Sequence, residues 1–255
     1  GLKITRKFDK HGWRSSDTAE LFFDDLKLPA DALLGEEGKG FYYIMSNFQE
    51  ERLIAAIMGT YAAEWALGKA IQYSKEREAF GRQIGKFQVL RHKMADLISD
   101  IEIQKRFVYY CCDLYARGIS AVKECSIAKM KATELAKTVA DECLQMYGGY
   151  GYMSEYPIER MYRDARVGTI VGGTTEIMKE IIAKMAIDGI NYSSAYKGDK
   201  KETKQSVPSK TSTDDSITKT NNNNMSTTPE TARDIVYSLP QRLKSDKVED
   251  DAEHR

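Results

Sequence analysis

Residues Gly40 to Gly81, GFYYIMSNFQEERLIAAIMGTYAAEWALGKAIQYSKEREAFG, read as one long helix. At 3.6 residues per turn, Phe41, Ile44, Met45, Phe48, Ala55, Met58, Ala62, Trp65 and Ala66 fall on one broad arc. Such a stripe is what an amphipathic helix turns toward a core. Glu51 breaks the pattern. It lands inside the arc, flanked by Ile44, Ala55, Met58 and Ala62, while Glu50 points to the opposite, polar side. A carboxylate on an apolar face is costly to bury unless it is paired or used. The residues alone leave two readings open: a buried glutamate satisfied by an arginine or by backbone, or a base whose pKa burial has raised toward neutrality.

Downstream the same spacing recurs. From Phe87 the apolar positions run Leu90, Met94, Leu97, Ile101, Val108, Cys111 and Tyr115, with a stop near Gly118. From Ala121 they run Cys125, Ala128, Ala132, Leu135, Val139, Cys143 and Met146, ending at Gly148-Gly149. A glycine- and aromatic-rich stretch, Tyr147 to Tyr152, and a charged segment to Arg166 lead to Gly172-Gly173-Thr174-Thr175. A last helix runs from there to about Ile187. Four helices with short connections predict a mainly α fold, an antiparallel four-helix bundle over 36–190.

Upstream, residues 1–35 read as the last strands of a β domain. Leu2 to Thr5 alternates, Lys10-His11-Gly12 is turn-like, and Ala19 to Leu28 holds a second strand ending before Pro29. Two strands cannot close a sheet alone, so further sequence upstream is expected. Beyond Ile190, Ser, Thr, Lys and Asn dominate. Residues 191–228 read as a disordered linker, because so little apolar surface cannot offset the entropy of ordering. Residues 229–255 read as a short amphipathic tail, with the opening of a further, truncated domain as the other reading.

The chain has 255 residues with 38 basic and 38 acidic side chains. A formal charge of zero argues against nucleic acid or an anionic membrane surface as main partners. No apolar run approaches the ~20 residues of a membrane span, and no secretory leader is legible. Cys111, Cys112, Cys125 and Cys143 show no redox or metal spacing and read as reduced core residues of an intracellular protein. His11, His92 and His254 are too scattered for a metal cluster, so no metal site is expected.

Four segments carry candidate chemistry: Phe48 to Arg52; Arg77 to Gly81 with Gln88; Gln145 to Tyr152; and Arg163 to Ile177. Singly, each has an ordinary explanation. Arg-x-x-Phe-Gly can be a helix end with a glycine cap. Gly-Gly before aromatic residues can be only a turn. Gly-Gly-Thr-Thr before a helix is a normal N-cap and also a ready anion or carbonyl site.

Their order and spacing over residues 1 to about 188 resemble the acyl-CoA dehydrogenases, closest to the long-chain and branched-chain members. Gly12-Trp13-Arg14, Leu21 to Asp25 and Leu33-Leu34-Gly35 look like the end of that family's middle β domain; the rest looks like its C-terminal helical domain. The resemblance implies FAD lying across a dimer interface in a dimer of dimers. It implies that Arg77 pairs with the pyrophosphate of the neighbouring subunit's FAD, a role suited to a fixed guanidinium fork. Phe80 and Gln88 match contacts to that same cofactor, and Gln145, Gly148 and Gly149 match a loop at its adenosine end. Thr174, Thr175 and Glu176 match contacts to the subunit's own FAD.

Many members place the catalytic glutamate directly before the Gly-Thr of the fourth segment. Here Gly172 stands there and cannot be a base. A second group supplies it from the long helix, as a glutamate immediately before an arginine, and Glu51-Arg52 matches that group. The resemblance therefore implies Glu51 as base, Arg52 anchoring the site, and Gly172 and Gly173 at the thioester carbonyl. It implies α,β-dehydrogenation of acyl-CoA thioesters, with an electron-transfer flavoprotein as acceptor. The compartment implied is the mitochondrial matrix in a eukaryote or the cytoplasm in a bacterium. Arg163 and Asp164 are expected to form a structural pair, and the stretch alone is expected to be inactive. The other readings are an acyl-CoA oxidase on the same scaffold and a non-catalytic bundle that binds protein or lipid.

Overall fold

The structure is a computed structural model that describes residues 1–192. The linker and tail read beyond Ile190 lie outside the described residues, apart from Asn191 and Tyr192. Strand β1 (Leu2–Lys7) pairs antiparallel with β2 (Ala19–Phe23), Leu2 opposite Phe23, with a bulge between Ile4 and Arg6. The second strand is shorter than the predicted Ala19–Leu28, for Asp25 takes a positive φ of 45° and turns the chain. Both strands are exposed along nearly their whole length.

Five helices follow: α1 (Gly40–Glu76), α2 (Gln88–Ala116), α3 (Val122–Tyr147), α4 (Pro157–Ala165) and α5 (Thr175–Ala186). The expected four-helix bundle is α1, α2, α3 and α5. Helix α4, read from sequence only as a charged segment, is the addition. Pro157 opens it at the first turn, where its fixed φ suits a helix and its missing N–H costs nothing.

Helix α1 also ends earlier than its pattern suggests. Glu78–Ala79 (β3) and Arg82–Gln83 (β4) form a miniature hairpin. Its two-residue turn has positive φ at both positions, 53° at Phe80 and 76° at Gly81. That is the geometry that matches strand twist in a tight hairpin, so Gly81 serves the hairpin rather than capping the helix.

The face of α1 that meets the bundle differs from the predicted arc. Arg52, Leu53, Ala56, Thr60, Ala63, Ala66, Leu67, Ala70 and Ser74 are its buried residues. Of the predicted arc only Ala66 is buried. Phe41, Ile44, Met45, Met58 and Trp65 are exposed, as is Glu51. The two faces are centred roughly 95° apart at about 100° per residue. Helix α1 therefore carries an apolar stripe of small residues toward the bundle and a second, bulkier one that this part of the chain leaves open.

Small residues set the packing. Helices α1 and α3 run parallel, Gly59 against Ala132 and the Tyr73 ring stacked on Tyr147 at 4.1 Å. A Cβ at Gly59 would stand 3.0 Å from the Ala132 carbonyl oxygen, so the backbones approach closely. Helix α2 runs antiparallel to α1, with Lys105 bonded to Glu64 and Ser74 beside Met94. One core cluster gathers Leu67, Met94, Leu97, Ile101, Val139 and Ile158; the other gathers Leu53, Val108, Cys111, Leu114 and Cys125. All four cysteines are free and only Cys112 is partly exposed, as the sequence predicts. Among the described residues no helix is long and apolar enough to cross a membrane, and no residue group could hold a metal ion.

Candidate functional site

The bundle presents two sites, at opposite ends of α1. The first is the turn into α5. Gly172 and Gly173 both take positive φ, 66° and 99°. Two consecutive residues in this region need glycine, since a Cβ would be strained at each. At Gly173 it would also meet Met178 Cε at 2.7 Å. Thr174 then caps α5, its Oγ1 accepting from the Ile177 N–H at 3.3 Å. Glu176 lies in the first helical turn, its carboxyl held below the usual range by its own backbone N–H and then by the Thr174 hydroxyl. Thr175 is buried, so only Thr174 and Glu176 present side chains outward.

Two cations hold this turn from inside. Arg52 is buried on α1, and its Nε donates to the Gly172 carbonyl at a long 3.5 Å. Lys129 on α3 is fully buried, and its Nζ donates to the Gly173 carbonyl at 2.6 Å. Neither has a carboxylate within ion-pair distance among the described residues. Burial pushes the pKa of each below its ordinary value, and the charge of Arg52 adds to the effect on Lys129. In a trans peptide the carbonyl and the following N–H point in opposite directions. Drawing both carbonyls inward turns the N–H groups that follow them away from the two cations, and none of the N–H groups of Gly172, Gly173 and Thr174 has a protein acceptor among the described residues.

Beside the turn lies a small apolar cleft of about 140 Å³. Ala55, Met58, Gly59 and Ala62 of α1 line it, with Trp13, Val171 and Gly168. Three of these α1 residues belong to the arc around Glu51, and Val171 immediately precedes Gly172. The exposed carboxylate of Glu51 thus stands on a face shared by the cleft and the turn. The hairpin's Trp13 is placed there by helix α4. Its backbone N–H donates to Asp164 Oδ1 at 2.7 Å. Gly12 permits the approach, for a Cβ there would lie 2.6 Å from the Arg163 carbonyl oxygen. Arg163 pairs with Glu159 rather than with Asp164, correcting the expected pair.

The second site is a pocket of about 570 Å³ at the far end of α1. It brings together Arg77, Gln145, Gly148 and Gly149, with Tyr73, Tyr147 and Tyr150. The Arg77 guanidinium lies over the Tyr150 ring at 5.7 Å and has no ion-pair partner among the described residues. Gly148 takes a positive φ of 59°, turning the chain out of α3. Phe80 and Gln88 do not line this pocket. Phe80 is 97% exposed at the hairpin tip, a bulky side chain held at positive φ and left open by the described residues. Gln88 is exposed at the start of α2.

Each site suits a part of a flavin dinucleotide: an uncommitted arginine with glycine backbone for a diphosphate at the one, and free N–H groups at a helix start at the other. Lys129, Trp13 and Asp164 are the site residues that sequence reasoning missed. For Lys129 a signal existed: it follows Cys125 by four residues, on the apolar stripe of α3. Trp13 and Asp164 are 151 residues apart and gave none.

The pattern of the acyl-CoA dehydrogenase C-terminal domain matches residues 38–187. The mitochondrial long-chain specific acyl-CoA dehydrogenase of Mus musculus is 47% identical over 182 residues, 71% of this chain and 42% of that protein. An acyl-CoA dehydrogenase of Bacillus subtilis strain 168 is 41% identical over 189 residues, 74% of this chain and 50% of that one. The crystal structure of acyl-CoA dehydrogenase from Geobacillus kaustophilus superposes with a TM-score of 0.71 at 47% identity, covering 72% of this chain and 49% of its own. The chain spans about half the length of these relatives. The bundle these residues build is of that kind, and the chain belongs to the acyl-CoA dehydrogenase family.

Proposed function

We propose that this chain supplies the C-terminal half of an FAD-dependent acyl-CoA dehydrogenase, with Glu51 as the base that removes the substrate's α-proton. The observation that carries the reading is the shared face of Glu51, the apolar cleft and the Gly172–Thr174 turn. A thioester with its acyl chain along that face would put its α-carbon within reach of a carboxylate on α1. Its carbonyl oxygen would meet the free backbone N–H near Gly172. Gly172 leaves that approach open, for a Cβ there would have nothing within 4 Å.

The roles follow from what each group can do. Glu51 is exposed in this chain and not yet covered, so it accepts the proton once substrate and cofactor close over it. The free N–H near Gly172 stabilises the negative charge that develops on the thioester oxygen as the proton leaves. Arg52 holds the first carbonyl of the turn and fixes α1 against it. Bound FAD would supply the hydride acceptor for the β-carbon. Thr174 and Glu176 would contact the subunit's own cofactor. Arg77, Gln145, Gly148 and Gly149 would receive the diphosphate and adenosine end of a neighbouring subunit's, with Phe80 and Gln88 reaching the same molecule across a dimer of dimers. The acceptor of the electrons would be an electron-transfer flavoprotein, and the compartment the mitochondrial matrix or a bacterial cytoplasm.

The test is anaerobic addition of acyl-CoAs of graded length to the purified full-length flavoprotein. Saturated acyl-CoA should bleach the flavin and yield the 2-enoyl-CoA. A protein that carries flavin but is reduced by no acyl-CoA refutes the reading.

A further inference from the structure

Two hollows flank Glu51 along α1. Toward the N-terminus a wide pocket of about 520 Å³ reaches Phe41, Met45, Gln49 and Arg52. Toward the C-terminus lies the narrow cleft of about 140 Å³. The first offers polar groups, for Arg52 lines it and Gln49 Oε1 is buried without a partner among the described residues. The second is apolar apart from Thr133 and Asp164. A thioester held between them would lay its alkyl tail in the second.

That cleft has a direction and an end. Ala55 and Val171 form its near end, beside Glu51 and Gly172. Gly168 marks its middle: a Cβ there would lie 3.2 Å from Thr133 Cγ2, and Thr133 follows the Ala132 that faces Gly59. Met161 marks the far end, since it also packs on the core around Ala63, Ala66 and Leu67. Asp164 lies between these two in the chain and holds the Trp13 backbone N–H at 2.7 Å. Trp13 therefore stands past Gly59, toward Ala62. Its φ of 49° is strained for so bulky a residue, yet the fold maintains it with the Asp164 bond and the bare approach at Gly12.

We propose that Trp13 is a specificity-determining residue: its indole ends the tail subsite and limits the length of the straight, uncharged acyl chain that is dehydrogenated. The inference rests on the proposed function, because it measures the tail from Glu51. The rise from Glu51 to Ala62 is roughly 16 Å at about 1.5 Å per residue. At about 1.3 Å of advance per carbon–carbon bond, that spans the tail of a chain of about twelve to fourteen carbons. Asp164 is the one charged residue of the lining, so a tail ending in a carboxylate is repelled.

The experiment measures kcat/KM of the full-length flavoprotein for saturated acyl-CoAs from butyryl to stearoyl. Trp13→Ala removes the wall. It should raise kcat/KM about tenfold or more for the chains just beyond the parent's limit, the worth of about one methylene accommodated in an apolar pocket. Ala62→Leu narrows the cleft from α1 and should cut kcat/KM for the longest good substrates by a similar factor. Butyryl-CoA, too short to reach either residue, should be the least affected in both. A length limit unchanged in both variants overturns the proposal. So does a loss equal at every length, which is what a merely structural tryptophan would give, or a parent limit below about eight carbons. A parent reduced by acyl-CoA whose limit ignores Trp13 sinks this inference alone. A parent reduced by no acyl-CoA takes the proposed function down with it.

Discussion

At the Gly172 end of α1 the cations are buried and tied to backbone carbonyls; at the Arg77 end the cation is exposed over an aromatic ring. The first arrangement spends the charge on the protein, fixing which way two peptide groups face. The second leaves the guanidinium fork uncommitted, free to take up an anion from outside. On the proposed reading, one helix carries a backbone site held by buried cations toward one end and a side-chain site at the other. Substitutions at the first end should change chemistry with little effect on binding, and those at the second should do the reverse.

The largest effect that comparison predicts is at Glu51. Glu51→Gln keeps the shape and removes the base, so flavin reduction by acyl-CoA should slow on the order of 10²- to 10⁴-fold, with flavin content and substrate affinity near the parent's. Anaerobic stopped-flow reduction is the measurement. Reduction at the parent rate would make Glu51 a surface carboxylate and nothing more. Adding Gly172→Glu sharpens the test. Space is open around a Cβ at Gly172, but its φ of 66° strains any side chain. A carboxylate there should restore part of the rate, and incompletely.

Next in size is Arg77→Met. A hydrogen bond to a charged group is worth about 1.5–3 kcal/mol, so FAD should bind about 10- to 100-fold more weakly. Once saturated with flavin, the variant should be reduced at close to the parent rate. Flavin titration followed by single-turnover reduction separates the two. An unchanged affinity would break the contrast between the ends of α1, because the exposed guanidinium would then hold no cofactor.

How legible all this was varies with the residue. The long helices follow from 3.6-residue spacing, and Glu51 stood out on α1 because it lies in the bulky apolar arc, which is not the face buried in the bundle. A wheel detects an apolar arc; it does not say whether that arc meets the same bundle or something beyond it. The alanines of α1 carry the real packing face, and their small area made the stripe faint beside Phe41, Met58 and Trp65. Helix α4 was missed because nine residues with Ile158 and Met161 on one side are too short a pattern among so many charges. The hairpin over 78–83 has strands of two residues, too short for any alternation to show. Lys129 was legible by the very test that found Glu51, a charged residue on an apolar stripe. The Trp13–Asp164 contact depends on tertiary approach and leaves no local trace.

The smallest effect concerns how the Arg77 pocket is built. The Tyr147 side chain meets α1 twice: its ring stacks on Tyr73 at 4.1 Å, and its hydroxyl donates to the Lys69 carbonyl at 3.2 Å. Residue Lys69 is mid-helix, where its carbonyl already serves the helical ladder, so losing the hydroxyl leaves no backbone group unpaired. Tyr147→Phe keeps the stack and removes only the bond. It should cost about 0.5–1.5 kcal/mol of stability, read as a small fall in the thermal midpoint of the full-length protein. Flavin affinity should change less than about twofold, because the ring and not the hydroxyl walls the pocket beside Arg77. A flavin affinity that falls as far as in Arg77→Met would place the hydroxyl in the cofactor's path. The Arg77 end would then be preorganised by buried bonds after all, like the Gly172 end, and the contrast between them would fail.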